Sequence, residues 1–207
     1  MKQKPKIIVI GSGIVGASIA MSCLNLGADV VVIERDNLGG SASSKSFGWI
    51  NASFAESTDY FKLRNAAVDK FRNLRNEINL NNYVQWQGTL WWEDSGRELE
   101  RQFNTLVDRG YNAKILNKNE IKRLEPNLQD IPKEAIFTSL EGAAEADKVA
   151  LEMLKNLSKK GGKVLSGCTV LGLKFKKACI SAVQTNIGEM QCDMVAIATG
   201  AATQNGL

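Results

Sequence analysis

The sequence predicts an α/β fold: a parallel sheet with helices packed on it, a small antiparallel meander, and an α+β segment set between its two halves. Three observations predict it. β-branched runs at Lys6–Ile10 and 30–33 flank a helical stretch, the pattern of a parallel βαβ unit. Residues 81–145 change to short strands alternating with short helices. From Lys163 the chain returns to strand-rich sequence and ends on an apolar run at 193–198.

The 207 residues carry 26 basic and 22 acidic side chains, so the net charge of +4 gives no nucleic-acid footprint. No apolar run reaches the length of a membrane span. The chain has no histidine, which excludes Ser-His-Asp and Cys-His nucleophiles, His-containing zinc sites and imidazole acid–base chemistry. Cys23, Cys168, Cys179 and Cys192 form no CxxC pair. They are expected to be reduced and mostly buried in a cytoplasmic protein, and no metal site is expected.

The first element is the most informative. Lys2, Lys4 and Lys6 followed by an apolar stretch superficially suit a signal peptide, but such a peptide has no use for three spaced glycines. Strand 6–10 runs instead into Gly11-x-Gly13-x-x-Gly16 and a helix over 14–26, closed by Gly27. Gly11 permits the tight turn, Gly13 lets backbone approach a pyrophosphate, and Gly16 lets helix and strand pack closely. The helix N-terminus offers free N–H groups and a positive dipole end to phosphates. Glu34, at the end of the second strand, suits the two hydroxyls of an adenosine ribose and repels a 2′-phosphate, which argues against NADP. The combination predicts a Rossmann-like dinucleotide site.

After Glu34 comes a long Gly/Ser-rich loop, Gly39-Gly40-Ser-Ala42-Ser43-Ser44-Lys45, reaching Phe47-Gly48-Trp49. A loop of this kind buries little apolar surface, and its hydroxyls and N–H groups suit phosphates and a ribityl chain.

These residues, from Gly11-x-Gly13-x-x-Gly16 through Glu34 and Gly39-Gly40-x-x-Ser43 to Gly48, resemble the D-amino acid oxidase family of FAD-dependent oxidoreductases, which includes glycine oxidase and sarcosine oxidase. The resemblance implies a Rossmann-like FAD-binding domain over 1–80 and 146–207, with 81–145 as the first portion of an α+β substrate domain. It implies pyrophosphate contacts at Ile14 and Val15, a ribose contact at Glu34, and Arg35 beside the adenosine. Loop contacts fall on Ala42 and Ser43, with Phe47, Gly48 and Trp49 nearer the flavin. Val170 is expected to meet adenine through its backbone, and Gly200, in Ala198-Thr-Gly200-Ala201, to let backbone approach the cofactor. Where the family often has Asp-Pro, this chain has Ala146-Asp147, with Asp147 expected to cap the next helix.

The implied activity is oxidation of the C–N bond of an amine or amino acid to an imine, with hydride transfer to the flavin. Such chemistry needs no histidine, because the cofactor carries the electrons. Family members are about twice as long, so the chain is expected to be a fragment, its partner a missing C-terminal half or a second subunit. The alternatives are an NAD-dependent dehydrogenase or a non-catalytic remnant or subunit of a split flavoenzyme. No catalytic residue is assigned; Lys45, Trp49 and Tyr60 lie within reach of a flavin but read more simply as structural.

In the middle of the chain the pattern predicts a helix over 60–80, an aromatic hairpin over 83–92, and a helix over 95–107. A strand at 113–116, a helix over Lys118–Leu124, a strand at 135–140 and a turn at Glu141-Gly142 follow. A helix over 147–159 then leads to a strand at 163–166. The meander is expected at 170–175, 179–185 and 189–192, with Lys174, Lys176 and Lys177 at a solvated tip.

Overall fold

The computed structural model describes residues 4–93 and 95–205; Lys2 and Leu207 lie outside them. In chain order the elements are β1 (Lys6–Ile10), α1 (Ile14–Asn25), β2 (Asp29–Ile33), β3 (Trp49–Ile50), α2 (Thr58–Leu74), β4 (Val84–Gln85) and β5 (Thr89–Trp91). Then come α3 (Arg97–Asp108), β6 (Ala113–Asn117), α4 (Lys118–Leu124), β7 (Glu134–Thr138), β8 (Gly142–Ala144) and α5 (Ala146–Lys159). The last are β9 (Lys163–Leu165), β10 (Val170–Lys176), β11 (Cys179–Thr185), β12 (Gly188–Gln191) and β13 (Met194–Ile197). Among the described residues no helix is long and apolar enough to cross a membrane.

The chain forms two compact units: residues 1–48, 78–83 and 145–207, and residues 49–77 and 84–144. The first unit's opening segment runs to Gly48, and residues 78–83 belong to it as well.

The first unit is built on a parallel sheet of order β13-β1-β2-β9. β1 and β2 read as continuous β-branched runs because both faces of the sheet are covered. On one face Ile8, Ile10 and Ile33 pack with Cys168, Val183 and Cys192 beneath the antiparallel meander β10-β11-β12. The pleat turns Val9 and Val32 the other way, and both are fully buried. Each such side chain contributes about 1.5–3 kcal/mol relative to exposure.

Helix α1 presents Gly16, Ala17, Ala20 and Met21 as its buried face. Its small residues allow close approach to β1, and Gly27, at φ +90°, ends it as expected. Helix α5 buries Val149, Ala150, Met153, Leu154 and Leu157. Asp147 does not cap it: Glu145 occupies the N-cap without a side-chain bond, and Asp147 sits in the first turn. There its charge still favours the positive end of the helix.

The second unit holds two three-stranded antiparallel sheets, β3-β8-β4 and β5-β7-β6, with α2, α3 and α4. Its core gathers Ala52, Phe61, Val68, Trp91, Leu99, Leu106, Tyr111 and Ile136. Three expectations change. Helix α2 begins earlier, because the Ser57 hydroxyl accepts the Tyr60 N–H at 3.2 Å, and it stops at Leu74 rather than 80. Helix α3 covers Arg97–Asp108 rather than 95–107. The aromatic hairpin at 83–92 does not form: β4 pairs with β8, while β5 pairs with β7. The chain crosses from one sheet to the other at Gly88, whose N–H bonds the Glu141 carbonyl at 3.0 Å. Gly142, expected in a turn, opens β8 instead, where a Cβ would lie 2.2 Å from the Gln85 carbonyl oxygen.

Glu141 is wholly buried at this crossing. Its Oε1 accepts the Ala52 and Ser53 N–H groups, both at 2.9 Å, the Ser53 hydroxyl, and the Tyr111 hydroxyl at 3.2 Å. Burial first, and the Glu141 carboxylate second, hold the Tyr111 phenol well above the usual tyrosine range.

Candidate functional site: a glycine-walled cradle at the end of the parallel sheet

The first unit gathers its notable geometry at the C-terminal ends of β1, β2 and β9, where open parallel sheets bind ligands. Gly11 leaves β1 at φ +106°, and its N–H bonds the Ile33 carbonyl at 2.8 Å. A Cβ there would stand 2.4 Å from the Ala198 carbonyl oxygen, so no other residue fits. Gly16 is equally constrained, since a Cβ would lie 2.0 Å from the Gly11 carbonyl oxygen. These two contacts bring the first turn of α1 onto the strand end.

Gly13 stands at the N-cap of α1 in extended conformation, without a side chain to close the helix. Opposite it run Gly40 and Ser43. A Cβ on Gly40 would meet the Gly13 Cα at 2.6 Å. The Ile14 N–H donates to the Ser43 hydroxyl at 3.2 Å, which leaves that hydroxyl's own proton available. No acidic residue lies in the first turn of α1, and Val15 there is 62% exposed. The result is an electropositive, backbone-lined cradle of the kind that accepts phosphate.

Glu34 closes the second wall. The Ser12 N–H and hydroxyl donate to its Oε2, at 3.0 and 2.7 Å, and the Asp36 N–H donates to Oε1 at 3.0 Å. Ser12 is fully buried, and its hydroxyl also accepts the Gly39 N–H at 3.2 Å. The Glu34 backbone bridges β9 and the next turn, donating to Leu165 at 2.8 Å and accepting from Cys168 at 2.9 Å. A carboxylate offers about four lone pairs; three are engaged, so Oε1 retains capacity for an incoming hydroxyl. Beyond it an open cleft of about 660 Å³ is lined by Arg35, Asp36, Leu38, Leu151, Ser166 and Gly167.

The expected site residues distribute as follows. Gly11, Gly13, Ile14, Val15, Gly16, Glu34 and Ser43 meet at the cradle, and Arg35 borders the adjoining cleft, its Nε on Asp36 at 3.0 Å. Ala42 is exposed just before the helical turn Ser43–Lys45. Phe47 is 83% exposed, and Gly48 follows at φ +66°. Val170 opens β10, half-buried against the core of the sheet. Gly200, at φ +58°, starts the turn that follows Ala198 and is exposed. Trp49 belongs to the second unit, where its indole N–H donates to the Thr89 hydroxyl at 2.9 Å.

Two members were not singled out from the sequence. Ser12 is a spacer in the glycine motif, yet it orients Glu34; the only signal is a hydroxyl between two glycines with an acid at the next strand end. Gly40 was noted in the loop, but its packing on Gly13 is a tertiary contact.

Comparison with known proteins identifies the family and the fold. The family model for FAD-dependent oxidoreductases (DAO) matches residues 6–207. The mitochondrial pyruvate dehydrogenase phosphatase regulatory subunit of Mus musculus is 22% identical over 198 residues, covering 93% of this chain and 22% of its own length. The structure of L-amino acid deaminase from Proteus myxofaciens, in complex with anthranilate, superposes with a TM-score of 0.87 at 20% identity, over 98% of this chain and 47% of that one. Glycine oxidase from Bacillus cereus ATCC 14579 gives 0.86 at 18% identity, over 98% of this chain and 57% of that one. At these identities the structural likeness is one of fold. The chain spans between 22% and 60% of the length of five curated relatives it matches.

Proposed function

Since the chain belongs to the FAD-dependent oxidoreductase family, whose model matches residues 6–207, we propose that its first unit holds FAD for the oxidation of an amino acid or amine at its C–N bond. The observation that carries the reading is the cradle at Gly13, where the N-terminus of α1, with no acid in its first turn, faces the backbone of Gly40 and the Ser43 hydroxyl. The residues present fit the dinucleotide. Gly13 would leave room for a pyrophosphate, whose oxygens the Val15 N–H and the Ser43 hydroxyl, itself held by the Ile14 N–H, would bind. Glu34, held still by Ser12, receives the adenosine ribose, with Arg35 and the backbone of Val170 beside the base. Ala42, Phe47, Gly48 and Gly200 supply backbone toward the flavin end, and Trp49 begins the segment beyond.

When bound, FAD supplies the two-electron acceptance that C–N oxidation requires. The protein residues contribute orientation: a positive helix end at the phosphates, a fixed carboxylate at the ribose, and glycine turns that let backbone come close. The second unit is proposed as the first portion of the substrate domain. Substrates of the amino-acid class are supported by the names of the glycine oxidase and L-amino acid deaminase folds. The free thiols of Cys23, Cys168, Cys179 and Cys192 suit a reducing compartment such as the cytoplasm.

The test is cofactor uptake by the purified chain. FAD should bind with quenching of its fluorescence and raise the melting temperature, whereas NADH should do neither. A chain stabilised by NADH and indifferent to FAD would sink the proposal in favour of a nicotinamide-dependent dehydrogenase.

A further inference from the structure

The meander of the first unit ends in a tip that its third strand does not reach. β12 pairs with β11 only as far as Ala182↔Gln191, and the Cys192 N–H extends this by one bond, to the Ser181 carbonyl at 3.1 Å. The last two rungs of the β10–β11 hairpin, Phe175↔Ile180 and Lys176↔Cys179, therefore project past β12, with the turn Lys177-Ala178 beyond them. Phe175 is 65% exposed on this tip, and Lys174, Lys176 and Lys177 are exposed around it. Lysines are ordinary guards on an edge strand such as β10. A guard has no use for a bare phenylalanine between two of them, and Lys177 lies in the turn, outside the edge.

The charge around the tip is one-sided. Residues 153–188 hold seven lysines and no aspartate or glutamate, although the whole chain is nearly balanced. Lys174 pairs with Glu189, whereas Lys176 and Lys177 make no ion pair among the described residues. The topology also sets the tip apart from the cradle. β12 leads through Cys192 to Asp193, whose N–H bonds the Lys6 carbonyl at 2.9 Å, at the start of β1. The cradle stands at the other end of that strand. The starts of β1 and β9 bring Lys6 and Lys163 to the tip's end of the sheet, against Asp29 at the start of β2 and Asp193.

We propose that the β10–β11 tip is a docking surface for a bilayer that carries anionic lipid. An exposed aromatic ring flanked by lysines matches such a surface in both its parts: the Phe175 ring enters the boundary of the headgroups, while the Lys176 and Lys177 ammonium groups stay at the phosphates. Contact at this end leaves the cradle on the side away from the bilayer, so the inference stands apart from the cofactor reading.

Co-sedimentation with lipid vesicles tests the surface. The wild-type chain should sediment with vesicles of phosphatidylserine and phosphatidylcholine, stay in solution with phosphatidylcholine alone, and be released by salt. Each lysine near an anionic surface strengthens binding about fivefold, so Lys176→Gln and Lys177→Gln together should weaken it about 25-fold. Phe175→Ser should weaken it about fivefold or more. Circular dichroism confirms that each variant folds. Should one not fold, the wild-type chain decides: vesicles with phosphatidylserine should shield Lys176 and Lys177 from acetylation, read by mass spectrometry, and phosphatidylcholine vesicles should not. Equal binding to the two vesicles, no loss in the double lysine variant, or acetylation indifferent to phosphatidylserine would each overturn the inference. Loss in the lysine variant with Phe175→Ser unchanged would mark a surface for a soluble polyanion, and would overturn the bilayer as its partner.

Discussion

Ser12 gives Glu34 two hydrogen bonds to the same carboxylate oxygen, from its backbone N–H at 3.0 Å and from its hydroxyl at 2.7 Å. The hydroxyl in turn accepts the Gly39 N–H, so one buried serine ties the glycine turn, the end of β2 and the start of the following loop together. Ser12→Ala keeps the backbone bond but removes the hydroxyl bond and strands the Gly39 donor. A loss of about 1–1.5 kcal/mol in orientation corresponds to FAD binding weakened by about tenfold. Glu34→Gln keeps the shape but loses the charge that strengthens each of these bonds, and should weaken FAD at least as much. Flavin-fluorescence titration checks both, with far-UV circular dichroism to confirm folding.

Two glycines of one motif should fail in different ways. At Gly16 a methyl group would enter the Gly11 carbonyl at 2.0 Å, a backbone clash that only movement of α1 off the strand relieves. Gly16→Ala should therefore destabilise the fold by about 1–3 kcal/mol, in the range of overpacking, and lower the melting temperature without any cofactor present. At Gly13 a methyl group would meet the Ser43 hydroxyl at 3.3 Å and the Gly40 Cα at 3.8 Å, neither a backbone clash. Gly13→Ala should leave the melting temperature of the cofactor-free chain near wild type yet impair FAD uptake, because the methyl fills space in the cradle. Equal thermal losses in the two variants would remove the distinction drawn between a packing glycine and a binding glycine.

The buried pair in the second unit sets a pH limit. Tyr111 donates to Glu141 at 3.2 Å, and burial together with that carboxylate raises its pKa above the ordinary value near about 10. The folded pKa being the higher one, the folded state binds the proton more tightly than the unfolded state. Its contribution to stability is complete below about pH 10 and is lost as pH rises above that toward the folded value. Urea unfolding at about pH 8 and about pH 11 should show a drop in wild type that Tyr111→Phe reduces. Tyr111→Phe should also be less stable at the lower pH by about 1–3 kcal/mol, because it withdraws a donor from a buried carboxylate. A wild-type drop that Tyr111→Phe reproduces in full would assign the alkaline loss to other groups.

How far the sequence could be read depended on how local the cause was. β1, α1 and β2 are legible because their signals lie within one stretch: β-branched runs, a glycine turn and a glycine stop. The wall opposite Gly13 was half legible, since a Gly/Ser loop announces a function but Gly40 reveals its packing only in three dimensions. The hairpin at 83–92 was misread for the same reason. Two short aromatic runs flanking Gly88 look local, yet β4 and β5 take partners some fifty residues away in β8 and β7. Nothing local marks Glu141 as buried either. A Glu-Gly pair is ordinary turn sequence, and its donors come from Ala52, Ser53 and Tyr111, elsewhere in the chain.

The meander provides a stability prediction free of the cofactor. Register Phe175↔Ile180 and Lys176↔Cys179 leaves a two-residue connection, Lys177-Ala178. Both residues have positive φ, 49° and 63°, as the tight hairpin turn favoured by strand twist demands. Asn-Gly is the preferred pair for such a turn, because asparagine tolerates the left-handed region and glycine has no Cβ to clash there. Lysine and alanine occupy it at a cost of about 1 kcal/mol each. The sequence pattern of three lysines marked this tip as solvated, but not the strain within it. Substituting Lys177→Asn and Ala178→Gly together should therefore stabilise the first unit. The gain is partly offset by the extra freedom that glycine gives the unfolded chain, so about 0.5–1 kcal/mol should remain. In a chain of this size that is a rise of about 1–4 °C in melting temperature. Lys174, which pairs with Glu189 across the meander, is left in place so that the two effects do not mix. A fall in melting temperature on the double substitution would show that Lys177 or Ala178 makes a stabilising contact outweighing the relief of backbone strain.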